Sequence, residues 1–68
     1  MNQSTLKGKW NEFRGSVQER WGKITDDDLD VIEGRRDQLI GKIQQAYGRT
    51  RAEVERELEA WEKENGLR

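Results

Sequence analysis

Trp21-Gly22-Lys23-Ile24-Thr25-Asp26-Asp27-Asp28-Leu29 closes one helix and opens the next within nine residues. Glycine tolerates the left-handed backbone that ends helices, so Gly22 is expected at the C-terminal cap. Thr25 can satisfy an orphan N–H of the following turn, and the three aspartates suit the positive end of its dipole. The signal returns as Tyr47-Gly48-Arg49-Thr50, with Glu53 three positions after Thr50 in a capping-box pattern. Working outward, Gly8, Gly15 and Gly22 recur 26 positions later as Gly34, Gly41 and Gly48. Around them Leu6 matches Ile32, Lys9 matches Arg35, Phe13 matches Leu39, Val17 matches Ile43 and Trp21 matches Tyr47. An offset that keeps size, charge and glycine position together indicates a duplicated structural unit.

The apolar spacing between these signals is helical, and there is no proline. Leu6, Trp10, Phe13, Val17 and Trp21 fall within an arc of about 80° at about 100° per residue. Leu29 and Ile32 give a short second helix. Leu39, Ile40, Ile43 and Tyr47 give a third, ending at Gly48, and Val54, Leu58 and Trp61 a fourth, fading at Asn65-Gly66. The expected fold is all-α: four short helices as two crossed αα-hairpins around one small core, a single domain over residues 1–68. Its anchors are Trp10, Phe13, Trp21, Leu39, Ile43, Tyr47, Leu58 and Trp61. The second and third helices could also run on through Gly34 as one. A break there is expected, because a short chain needs a turn to fold its halves together.

Charged residues make up 40% of the chain and apolar residues 31%, with a mean hydropathy of −1.22. That composition borders on disorder, and only the few aromatic anchors argue for a folded, marginal domain. Without cysteine there is neither a disulfide nor a thiolate metal site. The first residues lack the apolar stretch of a signal peptide, and no run is long enough to span a membrane. A cytoplasmic location is expected. The net charge of −1 argues against a generally basic nucleic-acid binder.

Catalytic chemistry has little to stand on. With no histidine or cysteine, the usual base, thiol nucleophile and imidazole ligand are missing. Ser4, Thr5, Ser16, Thr25 and Thr50 have no base at a suggestive spacing, and no catalytic residue, cofactor or small-molecule substrate is expected. Asp26, Asp28 and Asp30 resemble the opening of a calcium loop, but Val31 stands where its glycine belongs and Asp37 where its glutamate belongs. Acids at a helix N-terminus explain the run without a metal. Gly34-Arg35-Arg36 could contact phosphate, yet it lacks the glycine spacing of a phosphate loop.

Gly8 and Gly15 lie about 200° and 180° from Leu6, opposite the apolar stripe. Each costs about 0.8–1.0 kcal/mol relative to alanine inside a helix. Three readings stand: a bare backbone that another surface approaches, a helix kept loose, or a tolerated cost. Gly8, Gly15, Arg35 and Arg36 are therefore the candidate interaction residues.

Charge alternates along the chain. Residues 1–24 hold five basic and two acidic side chains, and 25–34 hold five acidic ones. Residues 35–51 hold five basic and one acidic, and 52–68 hold three basic and six acidic. Solvated faces account for this pattern. It also leaves room for self-association, or for weak nucleic-acid binding through the basic first and third helices.

Laid end to end, these segments resemble the CsbD-like family of small bacterial general-stress proteins. The resemblance is carried by Lys7-Gly8-Lys9-Trp10, by Gly15, by Trp21 through Leu29, by Ile32-Glu33-Gly34, by Arg36 through Gln44 and by Tyr47-Gly48. It implies a bacterial cytosolic protein made in quantity under stress or in stationary phase, folded as two crossed helical hairpins. It brings no catalytic residue, cofactor or partner to carry over.

Overall fold

The computed structural model describes residues 3–67, and the side chains of that span from Leu6 onward. The reading of the first residues as free of an apolar leader, and the hydroxyls of Ser4 and Thr5, fall outside it. The described residues form five helices: α1 (Gln3–Gly8), α2 (Trp10–Arg20), α3 (Asp26–Ile32), α4 (Arg36–Tyr47) and α5 (Arg51–Glu64). The all-α class holds, and no strand occurs among the described residues.

The expected count of four is corrected to five, because the first helix breaks at Lys9. There φ is −114° and ψ 16°, and the Lys9 N–H reaches only to Leu6 O, at 3.3 Å. The break has a tertiary cause. Gly34, at φ +80°, has no room for a Cβ: one would stand 2.6 Å from Lys7 Cα and 3.1 Å from Leu6 O. The α1 backbone is seated on this glycine, which buries Leu6 fully, and the weak helix former Gly8 lets the chain bend. The expected interruption at Gly34 is present, with Glu33 (φ 48°) and Gly34 both left-handed between α3 and α4.

Thr25 and Thr50 cap α3 and α5 with complete capping boxes, using Asp28 and Glu53. Gly48 caps α4 in the left-handed conformation at φ 63°. Gly22 does not. It is absent from the positive-φ glycines, and α2 ends at Trp21 with φ −125°. The reason is one residue of length. Trp21 and Thr25 enclose Gly22, Lys23 and Ile24, whereas Tyr47 and Thr50 enclose only Gly48 and Arg49. The longer turn reverses through a bond from Ile24 N–H to Trp21 O at 3.0 Å and plants Ile24, 1% exposed, in the core.

Contacts fix the helix directions. α2 and α4 start at the end where Gly34 meets Lys7 and Trp10. Both finish where the Lys23 N–H donates to Tyr47 Oη at 3.2 Å. α3 returns between them, held by Arg14–Asp30 at 3.0 Å and Lys42–Asp28 at 3.4 Å. α5 returns along the other side, where Trp61 packs edge-on to Phe13 and beside Trp21.

The core takes residues from every helix, with Ile24 and Leu67 added from the turns. Trp10, Trp21, Leu39, Ile43, Leu58 and Trp61 are buried, while Phe13 and Tyr47 pack at its edge. The Trp61 indole donates to Ser16 Oγ at 3.0 Å. Those of Trp10 and Trp21 are buried without an acceptor. Val31, 50% exposed, is the exposed large hydrophobic among the described residues.

Candidate interaction surface

The four residues singled out above fall into two kinds of place. Gly8 and Gly15 are exposed, and a Cβ on either would meet nothing within 4 Å. Nothing among the described residues uses their bareness. Arg35 and Arg36 are engaged internally. The Arg35 guanidinium donates to Val31 O at 3.0 Å and Ile32 O at 3.5 Å, closing the C-terminal end of α3. Arg36 makes a two-pronged contact, 3.3 Å on each side, with the buried carboxylate of Glu62. Gly8 and Gly34 come to the same end of the molecule, because Gly34 touches the backbone beside Gly8.

Two of the three aspartates that resembled a calcium loop, Asp28 and Asp30, have other partners. Asp28 Oδ2 accepts the Thr25 N–H at 3.1 Å, and Asp30 pairs with Arg14. Hydrogen bonds from the Thr25 backbone and hydroxyl hold the Asp28 carboxyl below its ordinary range, with Lys42 assisting. Thr50 does the same for Glu53.

At the opposite end the two repeated turns meet around Tyr47. Lys23 Nζ and Arg49 Cζ each lie 5.1 Å from its ring centre. Glu57 pairs with Arg49 and stands 3.9 Å from Arg20. The Glu57 contact raises the Arg49 guanidinium above its ordinary value.

Midway between these ends the surface is recessed at two places. One recess, of about 170 Å³, lies over Gly41 between Gln38, Lys42 and Gln45. The other, of about 260 Å³, lies between α2 and α5, lined by Ser16, Glu19, Arg20, Trp61, Glu64 and Asn65. Its floor is a closed set of hydrogen bonds. Ser16 Oγ donates to Asn65 Oδ1 at 3.2 Å, and Asn65 Nδ2 donates to Trp61 O at 2.8 Å. A Cβ on Gly41, as on Gly15, would meet nothing within 4 Å. The flanks differ: Glu12 and Glu19 around Gly15 become Gln38 and Gln45 around Gly41. Gly41 was not among the candidate residues, although its 26-residue offset from Gly15 was the signal that could have named it.

Residues 4–56 match the family model described as CsbD-like. The chain belongs to the CsbD-like family. This CsbD-like chain is 50% identical over 68 residues to UPF0337 protein YjbJ of Escherichia coli O6:H1, covering 100% of the chain and 99% of the relative. It is 52% identical over 61 residues to UPF0337 protein RPA4217 of Rhodopseudomonas palustris, covering 90% of the chain and 92% of that relative. UPF0337 protein ECA0631 of Pectobacterium atrosepticum is 52% identical over 62 residues, 91% of this chain and 90% of its own. No solved structure matches it. Among the described residues, no helix is long and apolar enough to cross a membrane.

Proposed function

We propose that this protein is a non-enzymatic stress protein of the bacterial cytoplasm, acting as a soluble protectant or interaction scaffold. Membership of a general-stress family sets the setting. The observation that carries the reading is the division between core and surface. The large apolar side chains are drawn inward until Val31 alone among the described residues stands half in water. Around them lies a surface in a chain that is 40% charged. Such a surface presents water with charge rather than apolar patches. The mid-helix glycines keep its helices weaker than alanine would, consistent with a domain not selected for maximal stability.

The test is aggregation of an unrelated enzyme on heating or drying. Millimolar protein is expected to preserve more activity than an equal mass of an inert protein. Equal protection by the inert protein rejects the reading.

A second reading, binding of nucleic acid through α1–α2 and α4, draws support from Lys7, Lys9 and Lys23, which face solvent. It requires a complex that weakens steeply between about 50 and 200 mM salt. Titrations of duplex and single-stranded DNA that give no shift at low salt dismiss it.

A further inference from the structure

We propose that α1 is an exchangeable element: two copies of this chain straighten at Lys9, and each seats its α1 on Gly34 of the other. Sequence pattern and fold disagree at this hinge. Leu6, Trp10, Phe13, Val17 and Trp21 share one narrow stripe, the pattern of an uninterrupted helix. The folded chain instead bends between the first two of them. Lys9 has φ −114° and ψ 16°, far from the helical values of about −63° and −42°. Its N–H bonds the carbonyl of Leu6, three residues back, where a continuous helix bonds four back.

The bend comes from the seat and not from the hinge. Among the described side chains of α1, Leu6 is fully buried while Lys7 and Gly8 are exposed. The backbone of Leu6 and Lys7 lies against Gly34, where an added Cβ would stand 2.6 Å from Lys7 Cα. That seat fits a helix backbone with a leucine to plug the core, and every copy of the chain brings one. Lys9 is the single link between α1 and the rest of the described fold. An α1 from a second copy can make the same contacts with the same burial. Exchange therefore forfeits no packing at the seat, and the straightened chain gains regular helix at Lys9 that the monomer lacks. Gly8 and Lys9 are both exposed, so little packing at the hinge itself opposes straightening. Against exchange stands the entropy of joining two copies, so the exchanged form requires high concentration. Each copy gives one α1 and receives one, and the contact closes at two copies under a two-fold axis. The charged side chains near the hinge, Lys7, Lys9 and Glu12, are exposed, and the exchange rests on none of them. It concerns the chain itself and stands apart from any protection of other proteins.

The test is refolding of the full chain from urea at millimolar concentration, with isotope-labelled and unlabelled copies mixed in equal amounts beforehand. Size exclusion then separates the products, and isotope-filtered NMR reads contacts between copies. A dimer is expected, with nuclear Overhauser contacts between Lys7 of one copy and Gly34 of the other. In the monomer the same contact lies within one chain. Lys9→Gly leaves the bent conformation open to the chain but weakens a straight helix at both hinges of the dimer. It is expected to raise the dimer's dissociation constant by about tenfold. Circular dichroism checks that this variant folds. Refolding that yields monomer alone, a dimer whose Lys7–Gly34 contacts stay within each chain, or a Lys9→Gly chain that pairs as tightly as the wild type overturns the proposal.

Discussion

Two glycines that the sequence treats alike do opposite work at the scale of the residue. Gly34 holds a left-handed backbone against Lys7, with no space for a methyl group. Gly34→Ala is expected to cost at least about 2 kcal/mol, from the left-handed strain and the backbone collision together. Gly15 sits in ordinary helix with open space above it, and Gly15→Ala is expected to gain about 0.8–1.0 kcal/mol. Urea midpoints moving in opposite directions for the two variants check both. The Glu62 carboxylate is fully buried and its partner Arg36 is a quarter exposed. Glu62→Gln is expected to cost about 2–3 kcal/mol, less than a wholly buried pair because water reaches the stranded guanidinium. Chemical denaturation reads that loss directly. The Arg36 pairing was hidden in the sequence because Glu62 lies 26 residues away, on another helix.

At the scale of the element, helix boundaries were legible wherever the signal is local. Thr25 and Thr50 close their capping boxes within three residues, so they could be read without knowing what packs nearby. The break at Lys9 could not, because its cause is the seat on Gly34 across the fold. Gly22 failed for a subtler reason: the glycines repeat at 26 residues but the capping threonines at 25, a slip visible in the sequence yet masked by the stronger repeat. Gly48→Ala is accordingly expected to cost about 1 kcal/mol, and Gly22→Ala close to nothing, by thermal melts. α3 has only seven residues, too few to persist alone. Thr25→Ala is expected to cost about 1 kcal/mol, and Thr50→Ala the same for α5. The capped carboxylates link this to pH. Asp28 and Glu53 titrate below their ordinary values of 3.8 and 4.5, so their contribution is complete above those values. It is lost as pH falls through the lowered folded-state values. In Thr25→Ala and Thr50→Ala, stability followed from pH 7 downward is expected to show a flatter acid limb.

At the scale of the whole molecule, the core was readable because its anchors are few and large, and Trp10, Trp21 and Trp61 all turn inward. Ile24 and Leu67 escaped notice because they lie in turns, where helical spacing carries no information. The candidate surface was half legible. A helical wheel places Gly15 opposite the apolar stripe, but the open space that a Cβ would meet there, and at Gly41 on α4, is seen only in the fold. The visible ion pairs Arg14–Asp30 and Arg51–Glu55 are exposed, and raising salt to about 1 M is expected to change the monomer's stability by less than about 1 kcal/mol. Melting temperatures at dilute protein check this apart from any association. The indoles of Trp10 and Trp21, whose nitrogens are buried without an acceptor, carry an optical consequence. Their emission should lie at the blue edge of the tryptophan range and move red as soon as solvent enters. Opening of this small protein thus comes with its own unlabelled reporter.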